Sequence, residues 1–226
     1  MTLARKAFAE LLGSLLLTAT VVGSGIAAQT QSRDAGLQLL ENSLATGAVL
    51  VALILALGPV SAAFNPVVTL VERAFGALTN GEAVTYIAAQ LAGCCLGTIV
   101  ANLMFELPAV TASTHVRDGS GLLLAEVVAT FGLVVVIFGV VRSGRASAVP
   151  FAVGGYITAA YWFTSSTSFA NPAISVGRML TDTFAGIDPA SVPLFALMQL
   201  LGGALAAGAV VLLYPDARTL AAKVAR

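Results

Sequence analysis

The chain has 226 residues, of which 58% are hydrophobic and only 10% are charged, and its formal net charge at pH 7 is zero. A soluble domain usually carries about a quarter charged residues, so this composition excludes an ordinary water-soluble protein. The balanced charge and the lack of a basic run exclude a bulk attraction to nucleic acid.

Six stretches of the sequence are long and apolar enough to cross a bilayer, which takes about 20 residues as a helix. The first follows Arg5 and Lys6 but contains Glu10, so we interpret it as a retained helix rather than a cleaved signal peptide. The predicted spans, in chain order, are residues 6–28, 42–61, 83–104, 120–141, 149–166 and 192–214.

Two shorter segments, residues 65–76 and 171–181, begin with the steps Asn65-Pro66-Val67 and Asn171-Pro172-Ala173. Asn is a favoured helix N-cap, and Pro fits the first helical position, where its missing N–H has no partner to lose. Because these segments are too short to cross, we expect two half-helices that enter from opposite faces. Their N-terminal ends would meet near the midplane, with both Asn amides facing a pore. The alternative is that each Asn only caps its own helix.

The basic residues predict the orientation. An even number of spans puts both ends of the chain on one side, and eight of the eleven Lys and Arg residues fall there. The positive-inside tendency then predicts that both termini are cytoplasmic. The residues on this side are Arg5, Lys6, Arg73, Arg142, Arg145, Arg218, Lys223 and Arg226, against Arg33, Arg117 and Arg178 on the other.

Sequence markers recur in the same order in both halves. Glu10 and Glu126 each follow an Ala near the start of a span, an Asn-Pro step comes next, and a Gln-x-x-Gly begins at Gln90 and at Gln199. Three spans per repeat is an odd number, so the second repeat must be inverted. We therefore predict an all-α integral membrane protein with six transmembrane helices, two re-entrant half-helices and an inverted 3+3 repeat around a central pore. It forms one channel domain, residues 1–226, with repeats at about 1–110 and 118–226.

Glu10 and Glu126 are carboxylates within spans, where a charge is costly and is usually hydrogen-bonded. We expect each to hold the backbone of a re-entrant loop in place. An interfacial charge and a proton-coupling role are the alternatives. The sequence contains no nucleophile–base pair, metal cluster or phosphate loop, so we expect no enzyme activity, no cofactor and no metal.

These markers resemble the aquaporin family (major intrinsic proteins), and the resemblance covers nearly the whole chain. It implies one pore per protomer, a homotetramer and a location in the plasma (inner) membrane. It also implies an outer selectivity filter at Thr46, Ala159, Ser168 and Ile174. The first Asn-Pro step is followed by Val67, where the family usually has Ala. This change adds methyl groups beside the narrow part of the pore. The filter position usually held by Arg is Ile174, so we expect a wider, more apolar filter than a water-selective one.

Arg178 lies four residues after Ile174, on the same helical face. We expect it near the external mouth, where it would guide oxyanions or replace the missing filter Arg. The alternative is an interfacial Arg that snorkels to the lipid headgroups or pairs with Asp182. We expect Tyr161, together with its aromatic neighbours, to anchor the membrane interface or pack against nearby helices.

The segment 160–169, together with the absence of Arg at Ile174, is similar to a bacterial aquaglyceroporin branch associated with arsenic resistance. That branch is thought to pass trivalent or methylated arsenic species. We therefore expect a passive channel for small neutral solutes, which are glycerol-like polyols, these arsenic species and water. The alternatives are an ordinary water or glycerol channel, an ion-coupled secondary transporter and a non-conducting membrane scaffold.

Overall fold

The computed structural model describes residues 1–214, and all regular structure in that range is helical. Arg218, Lys223 and Arg226, which contributed to the predicted orientation, lie outside the described residues. The helices are α1 (Leu3–Gln31), α2 (Ala35–Leu57), α3 (Pro66–Ala74), α4 (Asn80–Met104), α5 (Ser120–Arg142), α6 (Val149–Phe163), α7 (Pro172–Arg178) and α8 (Val192–Leu213).

The six predicted spans and the two predicted half-helices each correspond to one helix. Five of the long helices are long and apolar enough to cross a membrane, whereas α6 has only 15 residues and follows a short 3-10 turn, Ala146–Ala148. We call the side on which α1 begins the N-terminal side. The salt bridge between Lys6 and Glu82, at 3.7 Å, joins the starts of α1 and α4 on that side.

Both half-helices are shorter than predicted. After α3, the chain turns at Gly76, whose φ of 83° is in the left-handed region. After α7, the carbonyls of Met179 and Leu180 accept the N–H groups of Ser113 and Thr111 at 3.1 and 3.0 Å. The connector between the two repeats therefore binds the chain that follows α7 and ends the helix at Arg178.

The close contact between α1 and α4 depends on glycine. A Cβ at Gly97 would lie 2.3 Å from the carbonyl oxygen of Leu15, and one at Gly93 would lie 2.4 Å from that of Leu11. The second repeat has the same contact between α5 and α8, where a Cβ at Gly202 would lie 2.5 Å from the carbonyl oxygen of Val127. Small residues thus bring these backbones together, as is common between membrane helices.

The distribution of polarity is that of a protein in lipid. Fully buried polar side chains lie inside the bundle, including Gln90 and Gln199. Large apolar side chains are exposed along the long helices, among them Leu96, Leu197 and Leu205. This arrangement gives the lipid an apolar surface and keeps polar groups for the interior.

Candidate functional site

The two half-helices begin next to each other in the interior of the bundle, each at its Asn-Pro step. Asn65 Oδ1 accepts the N–H of Val67 at 2.9 Å. Asn171 Oδ1 accepts the N–H groups of Ala173 and Ile174 at 3.0 and 3.2 Å. Each Asn side chain therefore caps its own helix through its oxygen.

The amide nitrogens of the same side chains connect the two halves. Asn65 Nδ2 donates to the carbonyl of Ala170 at 2.8 Å, and Asn171 Nδ2 donates to the carbonyl of Phe64 at 2.7 Å. An amide nitrogen carries two hydrogens, so each retains one N–H beyond this bond. Both Asn residues line the central cavity, so capping and a pore-facing donor are compatible.

The residues before each Asn hold an unusual backbone conformation. Phe64 has a φ of 49° and Ala170 has a φ of 48°, in the left-handed region that costs an L-residue about 1–2 kcal/mol. These are the residues whose carbonyls accept the cross-repeat bonds. The conformation is therefore maintained by its surroundings, as strained backbone at functional sites usually is.

Glu10 supplies much of that support in the first repeat. Its carboxylate accepts the N–H groups of Ala63 and Phe64 at 2.9 and 2.7 Å, and the hydroxyl of Ser61 at 2.5 Å. Gln90 Nε2 donates to the same carboxylate at 2.7 Å and to the Thr69 hydroxyl at 2.9 Å. The Gln of the third span thus links the carboxylate to the half-helix.

Glu126 makes the equivalent contacts in the second repeat. It accepts the N–H groups of Phe169 and Ala170 at 3.0 and 2.9 Å, and Gln199 Nε2 at 2.5 Å. Gln199 also donates to the Ser175 hydroxyl at 3.1 Å. Both carboxylates are fully buried, which contradicts the interfacial alternative, and several donors surround each.

A cavity of about 340 Å³ passes between the half-helices. On the N-terminal side it is lined by Glu72, Tyr86 and Ser147, and toward the opposite side by Ser168 and Arg178. Apolar side chains cover much of its wall, among them Leu50, Leu133, Ile137, Val153, Ile157 and Ile174.

Thr46, Ser168 and Ile174 line this cavity, but Ala159 does not and is exposed on α6. The placement of Ala159 in the filter was therefore wrong, since the inward face of α6 carries Val153, Ile157 and Tyr161 at a spacing of four residues. Tyr161 is 3% exposed, and its hydroxyl lies 3.1 Å from Thr46 Oγ1. Of the two roles expected for Tyr161, packing against nearby helices is therefore the one that it has, and it does not anchor the interface.

Val67 does not reach the cavity, contrary to our expectation. A Cβ at Gly203 of α8 would lie 2.2 Å from Val67 Cγ1, so the extra methyl groups pack into the space that Gly203 leaves. Pro66, Pro172 and Ala173 are also away from the cavity lining. These positions act by starting the half-helices rather than by contacting a solute.

Arg178 is 2% exposed, so the snorkelling alternative is wrong. Its guanidinium lies 3.4 Å from the centroid of the Phe169 ring, and its Nε donates to the carbonyl of Ala185. Asp182 is not its partner, because the chain after α7 turns this carboxylate toward the connector. There Asp182 accepts the N–H and the hydroxyl of Thr114 at 2.8 and 3.0 Å.

Glu72 is a cavity residue that sequence reasoning missed. It lies in α3, is 3% exposed and lines the cavity. A signal was present, because Glu72 is the seventh residue after Asn65 and Arg178 is the seventh after Asn171. In an inverted repeat, two such positions are equivalent.

Comparisons with known proteins agree with this geometry. Residues 1–177 match the family described as "Major intrinsic protein". The chain is 51% identical over 201 residues to "Aquaglyceroporin AqpS" of Rhizobium meliloti, covering 88% of this chain and 86% of the relative. It is 29% identical over 191 residues to "Glycerol uptake facilitator protein" of Streptococcus pneumoniae, covering 75% and 80%. The structure matches that of the aquaglyceroporin from Plasmodium falciparum with a TM-score of 0.77 and 17% identity, over 96% of this chain and 99% of that one.

Proposed function

This chain belongs to the major intrinsic protein family, and from that premise we propose that it is a passive transmembrane channel for small uncharged solutes. The observation that carries the proposal is the cavity between the half-helices, which both Asn65 and Asn171 line. Their remaining amide N–H groups donate to a solute hydroxyl at the centre of the pore. The N-terminal ends of both half-helices meet there, and their positive potential opposes the passage of cations, protons included.

The cavity suits a polyol of glycerol size. Asn65, Asn171 and the hydroxyl of Ser168, which has no hydrogen-bond partner among residues 1–214, offer polar contacts. Apolar walls such as Ile157 and Ile174 cover the carbon side of the same solute. A binding site of this kind combines mostly apolar surface with a few placed polar groups.

Neutral trivalent arsenic is the second solute class that we propose. In water it carries three hydroxyl groups, so it presents to the pore the same chemistry as glycerol. Support comes from Ile174, which leaves no guanidinium at the usual filter position, and from the resemblance to the arsenic-associated branch. A narrower candidate, a water and glycerol channel without arsenic transport, is favoured by Arg178, whose side chain occupies the same cavity from one turn further along.

The channel sits in the plasma (inner) membrane as a homotetramer, with one pore in each protomer and both termini in the cytoplasm. Support for this arrangement comes from the apolar surface of the long helices and from the basic residues on the N-terminal side. Cross-linking of the purified protein in detergent tests the homotetramer. The expected result is a ladder of cross-linked species that stops at four copies.

The test of the transport function is reconstitution of the purified protein into liposomes. Light scattering gives the rates for water and glycerol, and uptake of neutral trivalent arsenic is measured beside them. We expect fast glycerol and arsenic entry that does not depend on a proton gradient. Water flux alone would support the narrower candidate, and accumulation driven by a proton gradient would support the ion-coupled transporter instead.

Ile174→Arg is the variant that tests the filter. A guanidinium at this buried position narrows the cavity and adds a charge, so we expect at least about tenfold slower glycerol entry, which corresponds to ~1.4 kcal/mol. Ile174→Val, which preserves the apolar wall, is the matched control. Unchanged glycerol and arsenic flux in well-folded Ile174→Arg would contradict this account of selectivity.

A further inference from the structure

We propose that Glu72 forms a second solute site in the pore, on the N-terminal side of Asn65 and Asn171. In its neutral, protonated form, the carboxyl donates one hydrogen bond to the solute and accepts another. The site takes small neutral solutes that carry several hydroxyl groups, the chemistry that glycerol and neutral trivalent arsenic share. This inference rests on the proposed channel function and names a residue that sets its solute specificity.

The carboxyl of Glu72 is buried beside the cavity without a protein partner. Glu72 is 3% exposed and lines the cavity, and it makes no side-chain hydrogen bond or salt bridge with any residue of the described range 1–214. By contrast, Glu10 accepts the N–H groups of Ala63 and Phe64 at 2.9 and 2.7 Å. A carboxyl that supports the fold has contacts of that kind, so the hydrogen-bonding capacity of Glu72 is directed to the contents of the cavity.

The surroundings of Glu72 favour its neutral form. Burial without a donor or a cation penalises the carboxylate much more than the protonated acid. Glu72 is the third residue from the end of α3, where the helix dipole also disfavours a negative charge. Lys6, on the same side of the protein, is paired with Glu82 at 3.7 Å. A protonated carboxyl has one O–H donor and one carbonyl acceptor, so it can pair with both the oxygen and the hydrogen of solute hydroxyls.

The position of Glu72 makes this site distinct from the one at the centre of the pore. Glu72 is the seventh residue after Asn65, and seven residues of an α-helix span about 10 Å along its axis. A three-carbon polyol is shorter than that distance. A solute at Glu72 is therefore a different occupant from one that the two Asn side chains hold, and the site precedes or follows the centre on the path through the pore.

The cavity wall on this side has the composition of a polyol site. Glu72 and Tyr86 bring a carboxyl and a phenol to the lining. Ile54 and Val141, near the ends of α2 and α5, line the same cavity with apolar surface. A few polar groups set in an apolar wall suit a solute whose hydroxyls and carbons must both be covered.

Exchange of labelled glycerol tests the site. Liposomes that contain the protein are given equal glycerol concentrations inside and outside, and the exchange rate of the label is measured as that concentration is raised. A solute that occupies a site makes the exchange saturate, so the half-saturating concentration reports how tightly the pore holds glycerol. Osmotic water permeability of the same liposomes reports whether the pore is still open.

Glu72→Met keeps the approximate length of the side chain and removes the carboxyl. We expect the half-saturating glycerol concentration to rise at least about threefold, as the loss of a net hydrogen bond predicts, while water permeability stays close to that of the wild type. Glu72→Gln retains a donor and an acceptor without a charge, so it should keep the half-saturating concentration of the wild type. Glu41→Met, in α2 and outside the cavity lining, is the matched control.

Glu72→Leu is a second apolar variant, which keeps the test decisive if Glu72→Met does not fold. An unchanged half-saturating concentration in the folded apolar variants would overturn the proposal, and so would an equal loss in Glu72→Gln. Water and glycerol rates that fall together would also overturn it, because they would show a structural role. Absence of glycerol exchange in the wild type is a different result, which contradicts the channel function itself.

Discussion

Tyr161 and Thr46 meet in the cavity wall through a single contact of 3.1 Å between their hydroxyls. We expect Tyr161→Phe to lower the free energy of unfolding by about 1 kcal/mol, because it leaves the Thr46 hydroxyl without this partner. Thermal unfolding in detergent measures the change. Replacing both residues, as Tyr161→Phe with Thr46→Val, should cost less than the two single changes added together. Strict additivity would show that the two hydroxyls are not coupled.

Asp182 gives the loop after α7 a dependence on pH. The hydrogen bond from the Thr114 N–H, its hydroxyl and the nearby His115 hold the pKa of this carboxyl below its ordinary value of 3.8. A lowered pKa means that the stabilisation is fully present above about pH 4 and is lost as the pH falls through the folded-state pKa. We expect faster amide exchange at Thr114 in acid, after correction for intrinsic rates. Asp182→Asn should remove this pH dependence, and a variant that retains it would contradict the assignment.

At the scale of helices, α3 and α8 pack against each other through Val67 and Gly203. A Cβ at Gly203 would lie 2.2 Å from Val67 Cγ1, so we expect Gly203→Ala to destabilise the protein by about 1–3 kcal/mol through overpacking. Val67→Ala makes the space for that methyl group, and the double variant should recover most of the loss. Unfolding in detergent provides the measurement. Gly208→Ala is the matched control, because a Cβ there meets nothing within 4 Å.

The helices were largely predictable because their signals are local. Apolar length marks a span, and an Asn-Pro step marks a half-helix start, so each of the eight helices has a predicted counterpart. The rotation of α6 was not predictable in this way. Its 15 residues include no charged side chain, so little distinguishes the cavity face from the lipid face. Ala159 was therefore predicted to line the filter, whereas Ile157 and Tyr161 are the α6 residues near it that line the cavity.

Contacts that depend on the path of a loop could not be predicted from the sequence either. Asp182 follows Arg178 by four residues and was a reasonable ion-pair partner, but the connector binds it instead. Glu72 was missed for another reason. It lies outside the motifs that the two repeats share, and only its spacing from Asn65, equal to that of Arg178 from Asn171, identifies it as a position equivalent to Arg178.

For the whole molecule, the two repeats predict that the same substitution has equal effects on stability and flux at Glu10 and at Glu126. Each carboxylate accepts two backbone N–H groups of a re-entrant loop, and a Gln amide offers only one acceptor oxygen. We expect Glu10→Gln and Glu126→Gln each to lower the free energy of unfolding by about 1.5–3 kcal/mol and to slow glycerol flux. Thermal unfolding and liposome flux measure both effects. Glu41→Gln, in α2 and away from the cavity lining, is the control. A large effect at one site alone would contradict the equivalence.

The reciprocal bonds between Asn65 and the Ala170 carbonyl, and between Asn171 and the Phe64 carbonyl, also constrain how the protein is made. During synthesis the first repeat enters the membrane about a hundred residues before its partners leave the ribosome. Until then Phe64 lacks the cross-repeat bond that helps to maintain its left-handed conformation. The nascent first half is therefore an unfinished intermediate, and the pore forms only when the last quarter of the chain has been translated.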